Sequence, residues 1–152
     1  MKKRPPRLCL VSSSGGHWEQ LVKLKPLVEK YSGFFVTERT GYPSGAKYRM
    51  FQTDLRDRWM PVKMAANLCL AVRIFLIERP DYCITTGTMV AYPFYLLACL
   101  FRKRFVFIES FNNAYCKTEA ARKMEKRADL MIVQWKSMVA LFDHAEYGGS
   151  LY

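Results

Sequence analysis

The sequence has few residues that could hold a metal ion and no cysteine pattern that would cross-link a small fold. It contains only two histidines, and its five cysteines form no Cys-x-x-Cys pair. An odd, dispersed set of cysteines favours reduced thiols in the core over a disulfide framework or a zinc site. We therefore expect a cytoplasmic protein that holds no metal and no cofactor.

Long apolar runs are missing from the N-terminus. The basic stretch Met-Lys-Lys-Arg-Pro-Pro-Arg is followed by only four apolar residues before three serines. A signal peptide or a membrane-spanning helix needs a much longer apolar segment. We expect neither here, so any attachment to a membrane would be peripheral.

Acidic residues are scarce relative to basic ones. The 13 Asp and Glu against 24 Lys and Arg give a net charge of +11, which favours an anionic partner. Nucleic acid, an acidic membrane surface and a phosphorylated ligand all fit that charge, but no recognised nucleic-acid module is present, so we expect no nucleic-acid partner. The 152 residues, 51% of them hydrophobic, indicate one packed domain over 1–152.

Apolar strand-like runs alternate with helix-like segments along most of the chain. Strands are predicted at 8–12, 34–37, 81–85, 105–108 and 130–133, and helices at 17–31, 61–78, 88–101, 117–127 and 136–142. Residues 39–58 predict a polar loop with at most one short strand. This alternation is typical of an α/β fold with a doubly wound, Rossmann-like parallel sheet.

The helix predicted at 61–78 has an unusual pattern. Its polar residues Lys63, Asn67 and Glu78 fall within a narrow arc at 100° per residue, Arg73 lies off to one side of that arc, and most of the remaining surface is apolar. Such a helix is either deeply buried or in contact with lipid.

Polar clusters follow four of the predicted strands. They are residues 12–17, Thr86-Gly87-Thr88, Glu109-Ser110 and Gln134-Trp135. The carboxyl ends of parallel strands meet at one edge of the sheet, where ligands of such folds bind. We therefore expect all four clusters along that edge.

The first cluster, Ser-Ser-Ser-Gly-Gly-His, supports two interpretations equally well. Glycines allow close backbone approach to a ligand, and the amides that begin the next helix suit a pyrophosphate. The alternative is a tight strand–helix turn in which a serine caps the helix. The cluster is not a Gly-x-Gly-x-x-Gly fingerprint, a Gly-Lys-Ser/Thr loop or a Gly-x-Ser-x-Gly elbow.

The other clusters also leave alternatives open. His17 is a candidate general base or phosphate donor, or a histidine at a helix start that bonds a backbone carbonyl. Residues 86–88 repeat the loop pattern or form an ordinary N-cap. Glu109 either receives sugar hydroxyls or caps the next turn. No Asp-x-Asp pair is present, so any sugar transfer would be independent of a metal.

Four segments together carry a resemblance to a known family. They read Ser-Ser-Ser-Gly-Gly-His-Trp, Thr-Gly-Thr-Met-Val-Ala-Tyr-Pro-Phe, Phe-Ile-Glu-Ser-Phe and Arg-Ala-Asp-Leu-Met-Ile-Val-Gln-Trp. They resemble the accessory, membrane-anchoring subunits of split GT-B glycosyltransferases, which include the anchor subunit of the dolichol-linked N-acetylglucosaminyltransferase and bacterial capsule and exopolysaccharide proteins.

The resemblance implies the N-terminal, acceptor-side domain of a GT-B glycosyltransferase, similar to the N-terminal half of MurG. It assigns catalytic roles to His17 and Glu109. It places Ser13, Ser14, Gly15, Gly16, Thr86, Gly87 and Thr88 at the acceptor's diphosphate and sugar. The chain alone would be inactive or weakly active, and an alternative is that it only tethers an active partner.

The same resemblance implies the partners. They are a donor-side chain that binds a UDP-sugar, a polyprenyl-diphosphate-linked sugar acceptor and the anionic cytoplasmic face of the cell membrane. We expect the C-terminal edge to bind the donor-side chain through Gln134, Trp135, Tyr147 and Tyr152. The eukaryotic subunit has a spanning helix where this chain has a basic stub, so a bacterial polysaccharide protein is the better match.

Overall fold

The chain folds around one parallel sheet, seen in a computed structural model that describes residues 4–41, 44–54 and 56–152. Within these ranges the sheet has seven strands, and every neighbouring pair is parallel. The strands are β1 (Leu8–Val11), β2 (Phe34–Glu38), β3 (Tyr48–Met50), β4 (Tyr82–Thr85), β5 (Arg104–Ile108), β6 (Leu130–Val133) and β7 (Ala145–Tyr147).

Helices cover both faces of the sheet. They are α1 (Gly16–Val22), α2 (Lys25–Tyr31), α3 (Met60–Glu78), α4 (Tyr92–Leu100) and α5 (Glu119–Met124), with 3₁₀ turns at Met89–Ala91, Glu125–Arg127 and Lys136–Leu141. Side chains from α3, α4 and α5 build the larger apolar cluster, whereas Leu21 of α1 belongs to a smaller cluster on the other face. Burial of both faces explains why β1 is a continuous apolar run, Leu-Cys-Leu-Val.

The strand order β3-β2-β1-β4-β5-β6-β7 positions the candidate site. The chain runs outward from β1 to β3, returns through α3 and continues in the opposite direction from β4. A crevice opens at such a reversal, here between the carboxyl ends of β1 and β4. The doubly wound parallel α/β fold expected from the sequence is therefore confirmed.

The helix predicted at 17–31 is wrong in one respect, because the structure divides it into α1 and α2. Pro26 lies in the first turn of α2 rather than at a bend inside one helix. Proline lacks an amide hydrogen and is tolerated in a first turn, where that hydrogen would have no helical acceptor. Pro93 does the same in α4, which begins at Tyr92 and not at residue 88.

Further differences occur at the ends and the edges. The helix predicted at 136–142 is a 3₁₀ turn, and the one at 117–127 is six residues of α-helix followed by a 3₁₀ turn. The short strand allowed within 39–58 is confirmed as β3. Strand β7 is absent from the sequence prediction because it has only three residues and two are exposed.

The cysteines are only partly in the core. All five are free, but Cys69 and Cys116 are exposed, so the expectation of buried thiols is wrong for these two. Burial raises the pKa of the Cys9 thiol well above its ordinary value, and the hydrogen bond and charge of neighbouring Cys83 raise it further.

Candidate functional site

A cleft of about 480 Å³ opens at the carboxyl ends of the strands, which we call the carboxyl edge of the sheet. Its lining comes from α1, the loop before α3, the turn after β4 and the start of α5, namely His17, Gln52, Thr53, Asp54, Arg56, Thr88, Met89, Thr118, Glu119 and Ala120. The charged side chains of this lining are two carboxylates and one guanidinium. The net positive charge of the chain is therefore concentrated elsewhere.

His17 is held in the cleft by the turn that follows β4. Its Nδ1 lies 2.8 Å from the carbonyl oxygen of Thr86, and the Thr86 hydroxyl donates back to the carbonyl of His17 at 2.7 Å. A neutral imidazole that donates from Nδ1 has its lone pair on Nε2. The bond to a backbone carbonyl, which the sequence allowed as the alternative role of His17, is thus present. It leaves Nε2 free to accept a proton.

Gly87 makes room for this imidazole. A Cβ at Gly87 would lie 3.2 Å from Cε1 and 3.3 Å from Nδ1 of His17, and the residue has φ of +116°. A larger residue would push the ring away and strain the backbone. Thr88 follows with φ of +74°, which is rare for a β-branched residue. Its hydroxyl accepts from the amide of Ser13 at 3.2 Å and so joins the two loops.

The serine-rich loop does not cap its helix with a serine. Gly15 is the N-cap of α1, and no side chain caps that helix. The hydroxyls of Ser12 and Ser13 donate to the carbonyls of the next residues in the loop. The serine-capped turn that the sequence allowed is therefore wrong.

The two glycines of this loop are not equivalent. Gly15 has φ of +79°, whereas Gly16 lies within α1, and a Cβ at either position would meet nothing within 4 Å. Gly15 thus provides the positive φ. Ser13, Ser14, Gly15 and Gly16 lie beside His17 but do not line the 480 Å³ cleft, and their phosphate-binding role remains a prediction.

Glu109 lies behind the cleft wall, at the end of β5. It is 1% exposed and accepts from the amide of Ser110 at 2.9 Å and from the hydroxyl of Thr118 at 3.2 Å. Burial raises the pKa of Glu109, although the amides of Ser110 and Thr118, the Thr118 hydroxyl and the charge of His17 oppose that rise. Its predicted catalytic role stays a prediction, since Thr118 stands between it and the cleft.

Sequence reasoning missed most of the cleft walls. Residues 52–54 and 56 follow the three-residue strand β3, and Thr118, the N-cap of α5, lies ten residues after Ile108, where β5 ends. Neither segment carries a recognisable motif, because polar loops and threonine N-caps occur in proteins of every function. The threonine–glutamate contacts that join them to the sheet are tertiary.

Two of the residues expected to meet a partner chain, Trp135 and Tyr152, form an aromatic cluster with Phe111. The ring centroids of Trp135 and Phe111 are 4.7 Å apart, and those of Tyr152 and Phe111 are 5.4 Å apart. Trp135, Tyr147 and Tyr152 are all more than one-third exposed. Gln134 is different, because it is buried.

The buried amide of Gln134 organises this region from within. It donates to the side-chain oxygen of Gln20 at 2.7 Å and to the carbonyl of Glu109 at 3.0 Å, and it accepts from the amide of Leu151 at 2.9 Å. Gln134 therefore supports the aromatic surface without contributing area to it. Its predicted contact with a partner remains a prediction.

Helix α3 lies on the surface, and at several positions it buries a polar side chain and exposes an apolar one. Asn67 and Glu78 point inward and are buried, while Val62, Leu76 and Ile77 are about 60% exposed. The helix is long and apolar enough to cross a membrane. It packs Ala71, Ile74 and Phe75 into the core, but only 22% of its most apolar stretch is buried. It is therefore not the deeply buried helix that the sequence allowed as one option.

Comparison with known proteins gives the fold but no family. No family model and no curated protein matches the chain. Among solved structures, Acinetobacter baumannii MurG matches with a TM-score of 0.76 at 14% identity, over 94% of this chain and 45% of that one. Rickettsia bellii UDP-N-acetylglucosamine 2-epimerase matches with a TM-score of 0.74 at 10% identity, over 97% and 45%.

A third match is S. aureus MnaA in a co-structure with UDP, with a TM-score of 0.67 at 13% identity, over 89% of this chain and 39% of that one. The chain thus spans less than half the length of all three proteins. It has the Rossmann-like fold of GT-B glycosyltransferase and epimerase domains.

Proposed function

We propose that this chain is the acceptor-binding and partner-recruiting subunit of a two-chain inverting glycosyltransferase. It would serve the transfer of a sugar from a UDP-sugar to a polyprenyl-diphosphate-linked saccharide in bacterial capsule or exopolysaccharide synthesis. The observation that carries the proposal is the fixed imidazole of His17, whose Nε2 is free in a cleft at the reversal point of a GT-B-like half.

His17 supplies the proton acceptor in this proposal. An acceptor hydroxyl attacks the anomeric carbon of the donor sugar, the bond from that carbon to the UDP oxygen breaks, and the hydroxyl proton moves to Nε2. The bond from Nδ1 to the Thr86 carbonyl then stabilises the imidazolium, because both ring nitrogens donate in that form. The configuration at the anomeric carbon inverts, since a single displacement occurs.

In this proposal a second chain supplies the donor side. The solved structures that match are more than twice as long as this chain, and one of them was solved with UDP. The aromatic cluster of Trp135, Phe111 and Tyr152, in which Trp135 and Tyr152 are exposed, lies at the same edge as the cleft. Large aromatic side chains are enriched at interface centres, so this cluster supports docking of a donor-side partner there.

The outer face of α3 supports membrane attachment. The helix is roughly 28 Å long and begins beside the cleft wall at Arg56, so a membrane along its outer face would bring a lipid-linked acceptor to the cleft. Arg73 and Arg79 flank the exposed Leu76 and Ile77. Apolar insertion combined with basic flanks is the pattern of peripheral binding to anionic lipid.

The decisive experiment is His17→Ala in the reconstituted pair. The chain would be co-purified with the product of a neighbouring reading frame that binds UDP-sugars, then assayed with undecaprenyl-diphosphate-glucose as the acceptor and UDP-galactose or UDP-glucuronate as the donor. We expect kcat to fall about 10²–10⁴-fold, as for loss of a general base. The matched control is His144→Ala, which removes the other, exposed histidine.

A second function, a tether without a catalytic group, is favoured by the exposed apolar face of α3. A tether would tolerate His17→Ala and Glu109→Gln, provided that both variants keep the wild-type Tm and still recruit the partner. Wild-type kinetics in both folded variants would replace the first proposal by this one. Robust transfer by this chain without a partner would contradict both.

A further inference from the structure

Glu38 is a buried carboxylate that belongs to none of the sequence motifs and does not line the cleft. It is the last residue of β2 and is 4% exposed. Its Oε1 accepts from the amide of Thr53 at 2.8 Å and from the hydroxyl of the same threonine at 2.7 Å. Among the ion pairs of the described residues, none includes Glu38.

The same contact occurs a second time in the molecule. Glu109 at the end of β5 accepts from the hydroxyl of Thr118 at 3.2 Å and from its amide at 3.3 Å. In both cases a buried glutamate at a strand end holds a threonine by its two donors. Both threonines line the 480 Å³ cleft.

The strand order places the two contacts on opposite sides of His17. Strand β2 lies on one side of β1 and β4, from whose carboxyl ends His17 and Thr88 enter the cleft, and β5 lies on the other side. Thr53 therefore stands in one wall and Thr118 in the wall across from it.

A second buried side chain holds the wall that contains Thr53. Asn67 of α3 is fully buried, and it accepts from the amide of Phe51 at 2.8 Å and donates to its carbonyl at 2.9 Å. Residues 51 and 53 are thus both fixed from inside the protein. Burying a carboxylate away from a cation is costly, and its hydrogen bonds only partly offset the cost.

We propose that Glu38 is a positioning residue of the acceptor cleft. It acts through Thr53 to hold the cleft wall that contains Thr53, Asp54 and Arg56, so that the Arg56 guanidinium meets the diphosphate of the acceptor and Asp54 meets hydroxyls of its first sugar. A guanidinium matches phosphate oxygens by paired hydrogen bonds, and a carboxylate accepts from sugar hydroxyls. This inference rests on the proposed function, since it specifies how that cleft holds its ligand.

The test is a double-mutant cycle on Glu38→Ala and Thr53→Val in the reconstituted pair, with undecaprenyl-diphosphate-glucose as the acceptor. Each single variant should raise the acceptor KM roughly tenfold, the effect of one lost hydrogen bond in a buried site, and should leave kcat within about threefold. The double variant should be no worse than Glu38→Ala alone, because both changes break the same link. Thr53→Ser keeps both donors and should behave as wild type.

Amide hydrogen exchange gives a readout that does not depend on the ligand. In Glu38→Ala the amide of Thr53 should exchange faster, because Glu38 is its acceptor, whereas the amide of Thr118 should not change, since Glu109 still holds it. Arg56→Ala should raise the acceptor KM at least as much as Glu38→Ala, because it removes the positioned group itself.

Three results would overturn the inference. Additive effects of the two substitutions would show that Glu38 does not act through Thr53. A fall in kcat with an unchanged KM would exclude a role in binding. If Glu38→Ala does not fold, Thr53→Val with a wild-type KM would have the same consequence.

The inference can also fail separately from the proposed function. If His17→Ala abolishes transfer while Glu38→Ala changes neither KM nor exchange, only the role of Glu38 falls. If the wild-type pair does not use the acceptor at all, the proposed function fails and the role of Glu38 fails with it.

Discussion

Two buried glutamates have opposite electrostatic environments. Glu78 lies at the amino ends of the strands (the amino edge), and Glu109 lies at their carboxyl ends (the carboxyl edge). Glu78, at the end of α3, forms ion pairs with Arg7 and Lys47 and accepts from Tyr48. Burial alone would raise its pKa, but the hydrogen bonds of Lys47 and Tyr48 and the charge of Arg7 lower it below the ordinary 4.5. Glu109 has neutral donors instead of a paired cation, and burial raises its pKa.

The rest of each edge repeats this difference. At the amino edge Asp81 pairs with Lys103 at 3.0 Å and with Arg4 at 3.2 Å, and burial together with the Glu78 contact raises the pKa of Tyr48 to about 12. At the carboxyl edge Glu38 and Glu109 hold threonines. Perturbed pKa values occur in structural ion-pair networks as well as at functional sites, and the amino edge has such a network, whereas the carboxyl edge carries the 480 Å³ cleft. The amino edge therefore stabilises the fold, and the carboxyl edge is the better candidate for function.

The largest effect on stability should come from Glu78→Gln. Arg7, Lys47 and Tyr48 would lose a charged acceptor, so we expect a loss of about 1.5–3 kcal/mol in the free energy of unfolding at pH 7. The contribution of a carboxylate with a lowered pKa is present above its unfolded pKa of about 4.5 and is lost as pH falls through the folded pKa. Urea unfolding of both proteins between pH 7 and pH 3 measures this, and a difference that stays constant with pH would contradict it.

The next effect separates the two glycines of the serine-rich loop. Gly15→Ala should cost about 1–2 kcal/mol, because alanine must adopt φ of +79°. Gly16→Ala should be neutral or should stabilise by about 0.4–1 kcal/mol, because Gly16 is helical and an added methyl meets nothing. Thermal unfolding of the two variants side by side provides its own control. An equal loss in both would contradict the helical geometry and the open surroundings of Gly16.

A smaller effect with the opposite pH sign is expected at Glu109. Its raised pKa means that the folded protein binds this proton more tightly than the unfolded chain. Wild type should therefore lose stability relative to Glu109→Gln as pH rises from about 4.5 through the raised pKa, by less than about 1.4 kcal/mol per pH unit. The difference should then level off. A curve that rises with pH, as for Glu78, would remove the contrast between the two edges.

The smallest effect on stability should come from the outer face of α3. Leu76→Ser and Ile77→Ser change side chains that are about 60% exposed, so the free energy of unfolding should move by less than about 0.5 kcal/mol each. Binding to phosphatidylglycerol vesicles should nevertheless weaken, and high salt should release the wild type. Leu27→Ser on α2 is the matched control. Equal sedimentation of all variants with vesicles would place membrane contact elsewhere.

The strands and their order along the chain were predictable from the sequence, whereas the cleft was only partly predictable. Buried parallel strands such as Leu8–Val11 are short apolar runs, and the polar residues after them must meet at one edge. His17 and Thr88 were found in this way, and both line the cleft. Arg56 and Thr53 were not, because nothing local distinguishes them from other loop residues.

By itself, the sequence determined the alternation of strands and helices, the edge at which the polar clusters gather and the unusual apolar surface of α3. These follow from local periodicity and from the geometry of parallel strands. Only the tertiary structure decided that Gly15 takes the positive φ, that Thr86 orients His17, and that Glu38 and Glu109 hold the two walls. Each of these depends on contacts or backbone angles that the folded chain imposes, and Thr86 and His17 are 69 residues apart in the chain.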